Sequence, residues 1–154
     1  MQKWFYSLLF ICISLYLSAQ DKNTQLFQAV RKSEVKSVEK LLSEKADPNH
    51  VIATGDWMKT SVLITAVNKE NIAVVKLLLK YKADVNWKDG FNTTALMYAA
   101  AKGNKEIFIL LFENGADINA NDGKGNNVLS AAKEGKNKEL VGFVEEQLKT
   151  GSDH

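Results

Sequence analysis

Proline and cysteine are nearly missing from this chain, at one each in 154 residues, and histidine occurs only twice. Lone Cys12 excludes an internal disulfide, and with two histidines it leaves no metal site of the usual zinc ligand sets. A single proline argues against a sandwich punctuated by turns and in favour of a helical chain. A strong charge of one sign is missing too, since 20 Lys and Arg face 18 Asp and Glu for a net +2. Duplex binding requires a much larger basic excess, so nucleic acid is not an expected partner. What is present suits a folded protein. With 45% hydrophobic residues the chain is too apolar to be disordered. Its 154 residues suit one domain and not two.

The apolar residues are unevenly placed. Lys3 precedes an uncharged run from Trp4 to Leu17, and Ser18-Ala19-Gln20 then leads into Asp21-Lys22-Asn23. A basic start, a short apolar core and a small-residue exit make residues 1–20 a secretory signal peptide. The alternative is an uncleaved anchor or a buried first helix, but the run is shorter than the ~20 residues that span a bilayer. Cys12 lies within the apolar core, without the small-residue context of a lipid-modified cysteine. The expected domain is therefore 21–154, periplasmic or secreted, with no membrane contact after cleavage.

Within that domain the sequence repeats. Ala46-Asp47-Pro48-Asn49, Ala83-Asp84-Val85-Asn86 and Ala116-Asp117-Ile118-Asn119 recur at intervals of 37 and 33 residues. Leucine-rich helix ends precede each one. Thr24, Ser61, Thr94 and Asn127 each open a short apolar stretch that reaches Ala29, Ala66, Ala99 or Ala132. Asp56, Asp89 and Asp122 keep the 33-residue spacing, so the four extra residues of the first interval fall between Asn49 and Asp56.

These residues closely resemble the ankyrin repeat, with its Thr-Pro-Leu-His-x-Ala-Ala opening and Gly-Ala-Asp-Val-Asn close. Thr94-Ala95-Leu96-Met97-Tyr98-Ala99-Ala100 through Gly115-Ala116-Asp117-Ile118-Asn119 is the best match. The helix-starting proline is absent from every unit, and Phe27, Ile64, Met97 and Ser130 stand at the histidine position. The resemblance implies an all-α fold. It would be a solenoid of four helix-turn-helix units, at about 24–56, 61–89, 94–122 and 127–149, joined by β-turn fingers.

Local chemistry agrees with that reading. Thr24, Ser61, Thr94 and Asn127 are good N-cap types. Ile72, Val75, Leu78 and Leu79 keep helical spacing, as do Ile107, Leu110 and Leu111. Asn114-Gly115 suits a left-handed helix end, and Asp89-Gly90 and Asp122-Gly123 suit tight turns. Ser37, Glu39 and Lys40 in the first unit, and Glu145 in the last, are the polar replacements expected of capping units.

Catalytic constellations are poor. His50 with Asp47 or Asp56 forms a drawable base pair, but no nucleophile with a recognised local motif accompanies it, so a hydrolase is a remote reading. The segment from Asn121 to Asn127 lacks the alternating carboxylates of a calcium loop. No cofactor is implied. Asn92-Thr93-Thr94 is a formal glycosylation sequon, relevant only to a eukaryotic secretory route.

The resemblance places partners on the finger tips and on the exposed face of each first helix. The tip positions are Trp57, Met58 and Thr60, then Gly90, Phe91 and Thr93, then Gly123, Lys124 and Asn126. The helix-end positions are Arg31 and Lys32, Asn68 and Lys69, Ala101 and Lys102, and Glu134 and Gly135. Trp87 stands where the next unit has Ala120. Large apolar residues thus cluster at the first two tips, as Trp57, Met58, Trp87 and Phe91. Solvent-facing tryptophan is costly unless covered, which favours an interface. The alternative is that the long loop His50–Lys59 folds back and buries Trp57 with Val51 and Ile52. Lys69, Lys88 and Lys102 around the aromatics, with Lys124 at the third tip, favour an acidic partner surface. The expected function is that of a monomeric, non-catalytic, exported binding module. The signal segment resembles those of Gram-negative bacteria. Small proteins of that kind look like inhibitors, immunity factors, or accessory proteins for an enzyme such as a periplasmic catalase.

Overall fold

The computed structural model describes residues 21–55 and 58–150. The expected signal segment lies outside them, as do Asp56 and Trp57 of the first finger. Helix α1 covers residues 21–31. There follow α2 (Val35–Ser43), strands β1 (Val51–Thr54) and β2 (Met58–Ser61), α3 (Val62–Asn68) and α4 (Ile72–Lys80). The chain continues through α5 (Ala95–Ala101), α6 (Lys105–Glu113), α7 (Val128–Glu134) and α8 (Lys138–Thr150). The helices pair in order, and the pairs stack into a solenoid with α3, α5 and α7 in one row and α2, α4 and α6 in another.

Helix starts are set by side-chain caps. Ser61, Thr94 and Asn127 accept from the N–H three residues on, at 3.2, 3.3 and 2.9 Å. Asn71, Asn104 and Asn137 do the same for α4, α6 and α8, each at 3.1 Å. Such caps contribute about 1 kcal/mol each. Thr24 departs from the pattern. It lies inside α1, because that helix runs through the point where the later units turn out of a finger. The other end behaves alike, since α8 has 13 residues against nine in α4 and α6.

Packing follows the small residues. Ala66, Ala99 and Ala132 are wholly buried, which lets the paired helices approach. Gly135, expected as an exposed helix-end position, is instead pressed onto the preceding unit. A Cβ there would run into the carbonyl oxygen of Ala100 and the backbone of Gly103. Phe108 is buried at the centre of the stack, and its ring meets the edge of Phe143 with centroids 6.2 Å apart, tying α6 to α8. At the ends of the outer helices Gly115 adopts φ 89°, as expected of a left-handed cap. Lys45 and Lys82 take the same place at φ 67° and 66°, a conformation that costs roughly 1–2 kcal/mol for a residue with a Cβ.

The Ala-Asp-x-Asn motif is the joint between units. Asp47, Asp84 and Asp117 each accept the N–H of the asparagine two residues on, at 2.8, 2.9 and 2.8 Å. The carboxamide oxygens of Asn49 and Asn86 then take the N–H of the next unit's aspartate, at 2.6 and 2.8 Å. Asn23, from within α1, does the same for Asp47 at 2.8 Å. A helix residue thereby replaces a missing turn.

Candidate functional site

The three fingers project from the starts of α3, α5 and α7, and they are built in two ways. The first is a β-hairpin in which β1 and β2 pair antiparallel from Val51 opposite Ser61 to Thr54 opposite Met58. This corrects the expectation of a β-turn at the first finger, since the long loop His50–Lys59 is a strand pair. The four extra residues are enough to pair two strands, and Val51, Ile52 and Thr60 are β-branched. Gly55 enters the hairpin turn at φ 82°. Ile52 packs against the core, while Val51 is half-buried.

The second and third fingers are tight turns, each closed by one carboxylate. Asp89 Oδ1 accepts from the N–H groups of Phe91 and Thr93 at 2.8 and 2.9 Å, and Oδ2 accepts from the Tyr98 hydroxyl at 2.7 Å. Asp122 Oδ1 accepts from the N–H groups of Lys124 and Asn126 at 2.7 and 3.0 Å, and Oδ2 from Asn126 Nδ2 at 2.6 Å. Tyr98 has no counterpart one period later, where Ala131 stands, so the finger closes on itself through Asn126. The backbone N–H of Lys124, and then Asn126 Nδ2, hold the Asp122 carboxyl below its ordinary value against the opposing effect of burial. Burial first, and then the bond to Asp89 and its charge, push the Tyr98 phenol above its ordinary value. With both Asp122 oxygens engaged by protein donors, the third finger is a turn.

The fingers are joined sideways. Gly90 N–H donates to Lys59 O at 3.4 Å, continuing the hairpin toward the second finger. Lys88 Nζ donates to Asn121 O at 3.0 Å, and Asn92 Nδ2 to Asp122 O at 3.5 Å. The Thr94 hydroxyl of the sequon is the α5 cap, and the Asn92 amide is used in this bridge.

Met58 and Phe91, at 61% and 56% exposure, are the exposed large hydrophobic side chains among the described residues. They lie on adjoining fingertips. Trp87 does not join them, because it is half-buried and packs against the core. Its place in the repeat is that of Ala120, which is itself buried, so the position faces inward. Trp57 lies outside the described residues. The cations divide as well. Lys88 is spent on the third finger, and Lys102 pairs with Glu70 at 3.5 Å. Lys69 and Lys124 are exposed, and their ammonium groups bond to no described residue. His50 opens the hairpin, and its ring bonds to neither Asp47 nor any other described residue. The base pair drawn for a hydrolase is therefore not formed with Asp47. Among the described residues no three His, Cys, Asp or Glu side chains group as metal ligands. None of the described helices is long and apolar enough to cross a membrane.

A family model for ankyrin repeats, in three copies, matches residues 26–122. The chain belongs to the ankyrin-repeat family. The fourth ankyrin unit, α7 with α8, lies beyond the matched span and repeats the same helix pairing. A curated human relative, the mitochondrial disaggregase, is 37% identical over 76 residues. That stretch is 49% of this chain but 10% of the disaggregase, so the chain spans about a tenth of that relative's length. Membership makes this ankyrin protein a protein–protein interaction module, and the family is generally non-catalytic.

Proposed function

We propose that this ankyrin protein is an exported binding module that grips one partner protein through its first two fingers. The observation that carries the reading is the pair of exposed apolar side chains, Met58 and Phe91, on fingertips joined through Lys59 and Gly90. Apolar anchors of this kind dominate binding energy when a partner covers them. Trp57 adjoins Met58 in the chain. With Lys88 and Lys102 engaged inside the molecule, Lys69 and Lys124 supply the positive rim that suits an acidic partner surface.

Export is supported by the residue order of 1–20, with its basic start, apolar core and small-residue exit. Removal of that segment leaves a monomeric, cysteine-free module in the periplasm or outside the cell. Inhibition of a neighbouring enzyme, or immunity to it, is the use such a module best suits. A photo-crosslinking residue placed at Met58, and separately at Lys36 on α2, tests the face in living cells. A discrete adduct from position 58 and none from position 36 is the expected result. An adduct from position 36 alone would move the interface to the opposite row of helices.

A further inference from the structure

The last helix leaves a gap that the inner units lack. Asn49 and Asn86 each clasp the turn of the following unit with both ends of the carboxamide. Their Oδ1 atoms accept from Asp84 and Asp117 N–H at 2.6 and 2.8 Å, and their Nδ2 atoms donate to the carbonyls of Lys82 and Gly115 at 3.5 and 3.0 Å. Asn119 is next in that series. Its backbone N–H is fixed by Asp117 Oδ1 at 2.8 Å like the others, yet its carboxamide bonds to no described residue. By the 33-residue period its partners would be Leu148 and Thr150, and both lie inside α8 instead of in a turn. Alongside Asn119 a cleft of about 500 Å³ opens, lined in part by Ile118, Leu129 and Leu148, and no residue lining it is charged. Other asparagines there are occupied: Asn126 on Asp122, and Asn127 on the Ser130 N–H.

We propose that this cleft, beside the third finger and away from the first two, is a peptide-binding site that takes an Ala-Asp-x-Asn turn from another protein. A turn like that of residues 115–119 offers a carbonyl and, two residues on, an N–H, the pair that Asn86 already holds. Asn119 makes the same two bonds to the incoming backbone, and the apolar x side chain meets Ile118, Leu129 and Leu148. A second copy of this chain is a poor occupant, because the Asp47, Asp84 and Asp117 amides are already bound by Asn23, Asn49 and Asn86. The partner is therefore a different protein with an unclasped turn. Recognition by amide groups in an uncharged cleft depends little on salt.

The probe is the blocked peptide acetyl-Gly-Ala-Asp-Ile-Asn-amide, titrated into the isotope-labelled full chain and followed by NMR. Saturable shifts at the Asn119 side-chain amide and around Ile118, Leu129 and Leu148 are expected. Asn119→Ala, a substitution at an exposed side chain, should weaken them about ten-fold, the loss of a hydrogen-bonded pair. Peptide N-methylated at the aspartate amide should not bind, and Met58→Ala with Phe91→Ala should leave binding unchanged, separating this site from the first two fingers. Absence of saturable shifts up to millimolar peptide, or equal affinity for Asn119→Ala, would overturn the assignment. So would binding that arises only in a chain ended at Thr150, since the chain's own last residues would then be the occupant.

Discussion

In the second and third fingers a carboxylate and one isolated backbone bridge close each turn, whereas the first is a hairpin of two strands paired over four residues each. The two constructions have different consequences. A turn wrapped around Asp89 or Asp122 has its backbone held by part-buried hydrogen bonds to one carboxylate. The hairpin is held by the pairing of β1 with β2. Its strand β2 keeps Met58 and Lys59 in solvent while Thr60 is half-buried and Ser61 buried, so the tip end of the finger is the part open to variation. The binding residues proposed here sit where those two constructions meet, at the Lys59–Gly90 contact.

The contrast implies unequal sensitivity to substitution. Asp89→Ala strips the acceptor from two backbone N–H groups and the Tyr98 hydroxyl. Hydrogen bonds to a charged group are worth roughly 1.5–3 kcal/mol, and part of this loss is regained from water, so a fall of about 3 kcal/mol in unfolding free energy is expected in urea. A fall under about 1 kcal/mol would mean that the finger closes without its carboxylate. Tyr98→Phe removes one of the three donors and should cost about 1 kcal/mol. The same substitution should leave the amide signals of Lys124 and Asn126 unmoved, because the third finger closes on Asn126 instead.

Acid separates the fingers by a different route. The folded Asp122 carboxyl titrates below its unfolded value of 3.8. Its stabilisation is complete above that value and is lost as pH falls through the lowered folded value. The amide signals of Lys124 and Asn126 should therefore shift with a midpoint below 3.8. A midpoint at or above it would contradict closure by these donors.

Much of the fold is legible in the residues, and the departures have physical reasons. The 33-residue spacing of Asp84 and Asp117, and the caps at Ser61, Thr94 and Asn127, mark the units directly. Thr24 misleads because composition alone does not reveal that α1 runs through it. The hairpin has a signal in Val51-Ile52-Ala53-Thr54 and Gly55, but the ankyrin pattern that orders the rest of the chain has no place for four extra residues. Trp87 resembles a tip residue by its chemistry, although its alignment with Ala120 already points inward. Lys88 and Lys102 look free in the sequence because their partners, Asn121 and Glu70, lie 33 and 32 residues away. One repeat of separation in sequence is direct contact in the stack.

The finger surface is tested most directly by partner affinity, once the crosslinked protein is identified, compared across two double variants. Met58→Ala with Phe91→Ala alters the tips of the first two fingers, and Lys124→Ala with Asn126→Ser alters the third. The first pair should change stability by less than about 0.5 kcal/mol, since both side chains are exposed. It should nevertheless weaken binding by about a hundred-fold, as expected of two apolar anchors, with the third-finger pair costing ten-fold or less. Equal affinity of wild type and the Met58→Ala, Phe91→Ala protein would contradict the assignment of the binding face.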